Sequence, residues 1–383
     1  MRLAVTTSLL LTVVIGLGAC ALANPDQSNA TAAASETPAA NVDVYLWRRR
    51  SSDALAASLA SLPPAVARLR VLVEESGGRA PGAAEVDAGA LQRAGRPVVA
   101  VWRVDGRALP DDGAVDRVRA RVRELRERGV PIVGFELDHD CPTARLAAYV
   151  EWLRRAGPRI RADGLALGIT ALPTWLDATD LVTDVTAAVD DVTLQVHAVS
   201  APTLFDARQA PREVRRFAAA AGRSIDVALP AYDAVLDGLP VRTTPDDVAR
   251  ALGALRLPGS GARRFVFFRL GANDDVGAWS PRTVQALATA APLAADVSVS
   301  FAPGADGAFD VVVSNLGNIA GRVPARIALD PPELGADAFG ADADGVAGFQ
   351  RDGPALVSHA HPRIRPGDRV VVGWVRPHAP GAR

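Results

Sequence analysis

"AVDRVRARVRELRERGVPIVGFELDHDCPTARLAAYVEWLRRAG", residues 114–157, contains a helix-like segment, a β-like segment and a second helix-like segment in succession. In the central β-like segment, apolar residues alternate with Glu136, Asp138 and Asp140. Successive side chains of a strand point to opposite faces, so the apolar set can pack under helices while the three carboxylates share the other face. The stretch therefore predicts one strand–helix unit of an α/β fold with an acidic inner face.

The same alternation of strand-like and helix-like segments extends over residues 42–291. Predicted strands lie at 42–47, 68–75, 97–105, 131–140, 164–172, 191–198, 224–232 and 263–271. Predicted helices lie at 51–62, 114–129, 142–157, 211–222, 244–255 and 280–291. Eight such units in about 250 residues predict a (β/α)8 TIM barrel. A doubly wound open sheet is the alternative, but the first strand is followed by "YLWRRR" instead of a Gly-rich phosphate-binding loop.

The segments on either side of the barrel have a different composition. Residues 292–383 contain short alternating β-like runs separated by turn residues, which predicts a small β-sandwich domain. Residues 1–20 resemble a bacterial signal peptide ending in the lipobox-like "LGAC", with Cys20 as the lipidated residue. Residues 21–41 are small and polar and predict a flexible linker. We expect an exported protein, lipid-anchored through Cys20 to the cell envelope at the outer membrane or in the periplasm; cleavage after Ala23 or an uncleaved anchor are the alternatives.

Composition excludes several classes of protein. The chain has 383 residues, is 49% hydrophobic and carries a net charge of −1, which excludes a disordered chain and gives no general attraction to nucleic acid. Its two cysteines, Cys20 and Cys141, leave no disulfide framework if Cys20 is lipidated. Nucleotide-binding, Ser-nucleophile and Cys-x-x-Cys motifs are absent from the sequence. We therefore expect no cofactor and no metal ion.

Polar residues occur at the carboxyl ends of several predicted strands, where barrel enzymes have their active sites. We expect them to form a substrate-binding mouth together with aromatic side chains that offer platforms for sugar rings. Packing of the aromatic residues in the core is the alternative. The candidates are Trp47, Arg103, Glu136, Trp175, Gln195, His197, Tyr232 and Arg269.

Several spaced motifs resemble a known family. "VYLWRRR", "FELDHDCPTARLAAYVEWLRRA", "LALGITALPTWL", "DDVTLQVHA" and "ALPAY" are similar to bacterial domain-of-unknown-function family thirty-one forty-two, which implies an exported barrel without an established activity. A weaker resemblance is to family-eighteen glycoside hydrolases, whose fourth strand carries Asp-x-x-Asp-x-Asp-x-Glu. In this chain the corresponding positions are Val133, Glu136, Asp138 and Asp140. Val133 is apolar, and Asp140 is one methylene shorter than the catalytic Glu of that family.

Asp138 and Asp140 are the candidate catalytic residues. One scheme has Asp140 protonating a glycosidic oxygen while Asp138 tunes its acidity. The helix start predicted at Pro142 favours the ionised form of Asp140, whereas repulsion from Asp138 favours the protonated form. Hydrolysis or transfer of a glycan is thus the first hypothesis. A non-catalytic glycan- or protein-binding lipoprotein, with a polar mouth or a structural arginine–carboxylate network, is the alternative.

Overall fold

The computed structural model describes residues 41–376 except 79–80, 107, 201–202, 237–238, 242, 273–274, 276, 330–334, 339–347 and 361. The predicted signal peptide, the lipidation site Cys20 and all but the last residue of the predicted linker lie outside the described residues. Among the helices of the described part, none is long and apolar enough to cross a membrane.

Eight parallel strands of the described chain form a closed barrel. They are β1 (Val42–Leu46), β2 (Val66–Ser76), β3 (Val98–Val104), β4 (Ile132–His139), β5 (Ala166–Ala171), β6 (Asp191–Gln195), β7 (Ile225–Pro230) and β8 (Ala262–Phe268). Each strand pairs with its neighbours in sequence, and β1 pairs with both β2 and β8, which closes the barrel. The predicted (β/α)8 barrel is confirmed, and all eight predicted strands are present.

Helices lie between the strands. They are α1 (Asp53–Ala60), α2 (Ala88–Ala94), α3 (Asp112–Glu127), α4 (Leu146–Arg161), α5 (Thr179–Ala187), α6 (Ala210–Ala221), α7 (Pro245–Leu255) and α8 (Pro281–Thr289). Asp111 and Thr244 cap α3 and α7, because each side chain accepts a hydrogen bond from a backbone N–H of the first turn. Shorter pieces of the barrel region are the strands Gly82–Ala83, His197–Ser200, Thr203–Phe205, Ala234–Leu236 and Leu239–Val241 and the 3-10 helices Thr143–Arg145 and Pro173–Ala178.

The core lies between the strands and the helices. Phe135 and Leu137 of β4 are buried in this layer, as the alternation of the sequence predicts. Val133 belongs to the same face but is 49% exposed. It lies next to the first residue of β4, at the amino-terminal end of the barrel. The inner face of the barrel is mostly polar, with a small apolar cluster of Tyr45, Val101, Ala228 and Val266.

The C-terminal segment folds into antiparallel sheets. Its strands are β9 (Val297–Pro303), β10 (Phe309–Asn315), β11 (Gly321–Arg322), β12 (Arg326–Ala328), β13 (Gly335–Ala338), β14 (Phe349–Asp352), β15 (Ala355–Ser358), β16 (Arg363–Ile364) and β17 (Arg369–Arg376). They pair in the orders β9-β10-β17-β13, β11-β16 and β12-β15-β14 around a second apolar core. The segment contacts the barrel near α8, where Thr283 donates a hydrogen bond to the carbonyl oxygen of Asn318 (2.7 Å).

Candidate functional site

A buried arginine holds the lower part of the barrel interior together. Arg70 of β2 is 2% exposed and donates hydrogen bonds to Asp43 Oδ2 (3.0 Å), Asp226 Oδ2 (2.7 Å) and Thr193 Oγ1 (2.6 Å), and to Glu136 Oε2. These four partners, with Arg70, are the Arg70 network. Its acidic members are 0–1% exposed, so they avoid the large cost of an unpaired buried charge only through this arginine and its neighbours. The network fills the barrel below its mouth.

Glu136 is fully committed to this network. Its Oε2 also accepts a hydrogen bond from Thr193 Oγ1 (3.3 Å), and its Oε1 accepts one from the Tyr45 hydroxyl (2.6 Å). Burial, followed by the charge of Glu136, raises the pKa of Tyr45 well above its ordinary value, so this hydroxyl keeps its proton. Both oxygens of Glu136 are thus hydrogen-bonded inside the barrel.

Arg103 joins the two candidate catalytic carboxylates at the mouth. Its Nη1 donates to Asp138 Oδ2 (2.8 Å), its Nη2 donates to Asp140 Oδ2 (2.6 Å), and its Nε donates to Asp105 Oδ1 (2.9 Å). Burial alone would lower the pKa of the guanidinium, but the charges of Asp138 and Asp140 outweigh it and raise the pKa. We call the first two contacts the Arg103 bridge. Asp138 and Asp140 are therefore paired with a permanent cation.

Asp138 and Asp140 differ in exposure. Asp138 is 5% exposed, and burial raises its pKa to about 6 even though Arg103 acts in the opposite direction. Asp140 follows the last residue of β4, and its side chain is 46% exposed. The buried Asp138 thus changes charge in mildly acidic solution, while Asp140 stands at the rim.

Three buried polar atoms near the carboxyl ends of neighbouring strands have no hydrogen-bond partner among the described residues. They are Asp138 Oδ1 on β4, Thr170 Oγ1 on β5 and His197 Nε2 after β6. The three residues are 3–5% exposed. Leaving such an atom without a partner costs about 1–3 kcal/mol. The mouth is therefore equipped to form hydrogen bonds that the described protein atoms do not supply.

His197 lies among aromatic side chains and beside a cavity. Its Nδ1 is 3.4 Å from the Tyr232 hydroxyl, and its ring centre is 5.5 Å from that of Phe268. Burial lowers the pKa of His197 to about 3 and raises the pKa of Tyr232 to about 12, so both groups are neutral near pH 7. His197 also lines a cavity of about 150 Å³. Trp47 completes this group through its contact with Phe268 (5.3 Å between ring centres).

The other predicted mouth residues have different surroundings. Gln195 is partly buried and donates to the backbone carbonyl of His197 (3.1 Å). Arg269 binds both oxygens of Asp275 (2.9 and 2.8 Å), which leaves it outside the Arg103 bridge. Trp175 is fully buried, and its indole N–H donates to the carbonyl oxygen of Cys141 (2.8 Å). The predicted sugar platform at Trp175 is wrong, because the 3-10 helix Pro173–Ala178 packs this ring into the core outside the barrel.

Reasoning from the sequence placed Thr170 on the inner face of the fifth strand but missed Arg70 and Phe268 as parts of the barrel interior. Arg70 shares a strand face with Arg68 in "RLRVLVEE", and two inward arginines require acidic partners. Asp43 and Asp226 occupy inward positions near the starts of β1 and β7 and supply that charge. A search for alternating charges on all eight strands would have found the Arg70 network.

The state of Cys141 and the placement of possible metal ligands complete the description of the site. Burial raises the pKa of Cys141 to about 11, so its thiol stays protonated near neutral pH. The described residues contain no group of three or more His, Cys, Asp or Glu side chains placed to hold a metal ion.

The comparisons with known proteins concern the barrel. Residues 94–248 match the family described as Domain of unknown function (DUF3142). This confirms the resemblance inferred from the motifs. The DUF3142 segment includes the Arg103 bridge, Thr170, His197 and Tyr232, and thus most of the candidate site. No curated protein matches the chain.

Solved structures with a similar barrel include a spore cortex-lytic enzyme and chitinases. The spore cortex-lytic enzyme SleL of Bacillus cereus is 12% identical, with a TM-score of 0.46 over 65% of this chain and 74% of that one. A chitinase of Bacteroides thetaiotaomicron is 10% identical, with a TM-score of 0.48 over 64% and 96%. The catalytic domain of a family GH18 chitinase from the fern Peteris ryukyuensis is 15% identical, with a TM-score of 0.43 over 64% and 100%. The likeness is one of fold.

Proposed function

We propose that the mouth of the barrel binds a glycan. The observation that carries this proposal is the set of buried, unpartnered atoms of Asp138, Thr170 and His197. Sugar hydroxyls both donate and accept hydrogen bonds, so one ring can donate to the carboxylate and accept from the threonine hydroxyl. The nitrogen of the neutral histidine donates or accepts according to its tautomer. Apolar walls with a few convergent polar groups are typical of small-molecule sites.

The aromatic residues of the mouth support the same proposal. Trp47, Phe268 and Tyr232 form a contiguous group, with ring centres 5.3 Å and 5.5 Å apart for the two successive pairs. Trp47 is only partly buried. The aliphatic face of a sugar ring packs well on such a surface, while its hydroxyls reach the polar atoms next to it.

The Arg103 bridge favours glycan binding over glycan hydrolysis as the first candidate function. A general acid must carry its proton at the working pH, and a guanidinium in contact favours the ionised form of a carboxyl group. Arg103 contacts both Asp138 and Asp140. In this arrangement the two carboxylates serve as hydrogen-bond acceptors for a ligand and as the anchor of Arg103.

Glycan hydrolysis is the second candidate, and one observation favours it. With its pKa at about 6, Asp138 is substantially protonated in mildly acidic solution. A proton passing from Asp138 to the glycosidic oxygen would accompany breakage of the bond to the anomeric carbon. Water would then supply the hydroxyl group at that carbon, and its remaining proton would return to Asp138. Asp140, at the rim, would lie beside the developing positive charge.

A binding screen with paired variants tests the first candidate. The purified full chain is applied to a panel of neutral and acidic oligosaccharides, and affinities of the ligands found are measured by calorimetry. Thr170→Val removes one hydroxyl from the mouth and is expected to weaken binding about fivefold or more, as expected for a lost hydrogen bond of about 1 kcal/mol. Thr289→Val makes the same change at an exposed end of α8 and should leave affinity unchanged. Equal affinities of both variants and the wild type would refute the mouth as the site.

Turnover distinguishes the two candidates. Each oligosaccharide that binds is incubated with the protein between pH 5 and pH 7, and new reducing ends are measured. Hydrolysis by Asp138 predicts product release that rises below pH 6 and is lost in Asp138→Asn. Binding without release of reducing ends in the wild type contradicts the second candidate and leaves the first intact.

We also propose that the protein is tethered to the bacterial cell envelope through a lipid on Cys20, in the outer membrane or the periplasm. The support is the sequence "LGAC" after a short apolar segment. Replacement of Cys20 by Ala should move the exported protein from the membrane fraction to the soluble fraction. A wild-type chain found only in the soluble fraction, with no lipid mass on its N-terminal peptide, would contradict the proposal.

A further inference from the structure

A groove rich in arginine runs between α6 and α7. Its volume is about 800 Å³, and its cationic residues are Arg208, Arg212 and Arg215 on one side and Arg250 on the other. We call it the arginine groove. Asp206 and Asp247 also line it, so four cations face two carboxylates. This local excess of positive charge contrasts with the net charge of −1 of the whole chain.

Three of the four arginines of the groove form no ion pair with a described residue. Arg250 forms an ion pair with Asp247, which lies three residues earlier on the same helix. Arg208, Arg212 and Arg215 are exposed, and none of their side chains makes an ion pair or a hydrogen bond to another described residue.

Helices α3 and α4 show the more usual arrangement. There several arginines reach carboxylates of the same helix or of the neighbouring segment, as in the contacts of Arg119 with Asp163 (2.7 Å) and of Arg159 with Asp116 (2.6 Å). The guanidinium groups of Arg208, Arg212 and Arg215 therefore remain available to an external anion. Their planar forks are suited to carboxylate and phosphate groups.

The arginine groove adjoins a cavity beside the candidate site. Thr203, Phe205 and Asp206 line the groove and also line the smaller cavity beside His197. His197 is 3% exposed, and its Nε2 has no partner in the described part of the chain. An extended ligand in the groove would therefore lie next to the cavity that His197 lines.

Because the arginine groove adjoins the cavity beside His197, we infer that the glycan is acidic. Its carboxylate or phosphate groups bind in the arginine groove. An adjoining sugar lies at the mouth beside His197. The inference rests on the proposed glycan-binding function and adds the class of ligand. Attraction between exposed arginines and an anionic polymer is screened by salt, with a Debye length of about 8 Å at physiological ionic strength. Binding should therefore weaken as salt increases.

The test uses two pairs of probes that differ in charge. Oligogalacturonate is compared with its methyl ester, and a phosphorylated oligomannose with its dephosphorylated form, by calorimetry on the full chain in 50 and 300 mM NaCl. We expect each acidic probe that binds to bind at least tenfold more tightly than its neutral form in 50 mM NaCl, with most of this difference lost in 300 mM NaCl. The carboxylate and phosphate pairs also show which anion is preferred.

Two double variants locate the effect. Arg212→Gln with Arg215→Gln should weaken binding of the acidic probe about tenfold and leave its neutral form unchanged. Arg93→Gln with Arg123→Gln removes the same charge from exposed arginines of α2 and α3, whose side chains form no ion pair with another described residue, and should change neither affinity. Equal binding of acidic and neutral probes, or equal losses in both double variants, would overturn the inference.

The mouth variant separates failure of this inference from failure of the proposed function. If Thr170→Val weakens both members of a probe pair while the groove variant weakens neither, the mouth stands and the arginine groove is refuted. If the groove variant weakens the acidic probe while Thr170→Val changes nothing, the groove binds anions without the mouth, and the inference of a single acidic glycan fails. Absence of binding by all four probes at 5 mM would count against both proposals.

Discussion

The raised pKa of Asp138 predicts an unusual dependence of stability on pH. The ordinary pKa of an aspartate is about 3.9, whereas burial raises that of Asp138 to about 6 in the folded protein. Between these values the folded state binds more protons than the unfolded state, so the free energy of unfolding contributed by this group falls as the pH rises. A difference of about two pKa units corresponds to about 3 kcal/mol in the free energy of unfolding, and this contribution of Asp138 is fully lost above pH 6.

Asp138→Asn isolates this contribution, because the amide has nearly the same shape and does not titrate. Urea unfolding of the wild type and the variant, followed by tryptophan fluorescence at pH 4, 5, 6, 7 and 8, gives the difference in free energy of unfolding at each pH. We expect the wild type to lose about 2 kcal/mol relative to the variant between pH 4 and pH 7, since part of the total is already lost at pH 4. Contributions of all other titrating groups cancel in this comparison to the extent that the substitution leaves them unchanged.

A flat difference would show that burial does not raise the pKa of Asp138. A difference that changes in the opposite direction, with the wild type gaining stability as the pH rises, would show that Arg103 outweighs burial. Either result would also remove the observation that favours Asp138 as a proton donor. The matched variant Asp140→Asn should give a much smaller change, because Asp140 is half exposed.

Further predictions concern the core and the cysteine. Arg70→Met should lower the free energy of unfolding at pH 7 by about 3–5 kcal/mol, because it leaves the buried carboxylate of Glu136 without its ion-pair partner, whereas Arg263→Met at a partly exposed position should cost far less, both measured by urea unfolding. Trp175→Ala should lower the free energy of unfolding, measured by thermal unfolding, by about 3–5 kcal/mol. Calorimetry on the folded fraction of this variant should give an unchanged ligand affinity. In a Cys20→Ser chain, Cys141 should react with iodoacetamide at pH 8 only in urea, because burial keeps its thiol protonated; rapid modification of the folded chain would contradict this.

Much of the barrel follows from the sequence because strands impose a strict alternation of side chains. This alternation correctly places Asp138 at the inner face and Phe135 in the core. It fails at Trp175, because the chain leaves β5 four residues earlier and turns into a 3-10 helix that no longer follows the strand period. Rules for side-chain direction therefore end where the strand ends, although functional residues of barrels often lie just beyond that point.

Two helices were not predicted. The seven-residue α2 has the sequence "AGALQRA", which is too short to show a clear apolar periodicity, although Asp87 caps its start and Gly95 ends it in a left-handed conformation. The helix α5, "TDLVTDVTA", is rich in β-branched residues with weak helix propensity. Its Val182 and Val185 are fully buried. Packing against the barrel stabilises this helix, and that contribution is not visible in the local sequence.

The contacts of Arg70 connect distant parts of the chain and couple the two halves of the barrel. The arginine lies on β2, while its partners Glu136, Thr193 and Asp226 lie 66, 123 and 156 residues further along. A fragment ending after β4 would contain Arg70 without two of these partners, and the complementary fragment would contain Asp226 without Arg70. Each half would lose the contacts that cross between them, since, of the described ion-pair partners, Asp226 would keep only Arg263 and Arg70 would keep only Asp43 and Glu136. The shared arginine thereby couples strands from both halves of the barrel, which an apolar interior, divisible between fragments, would do less specifically.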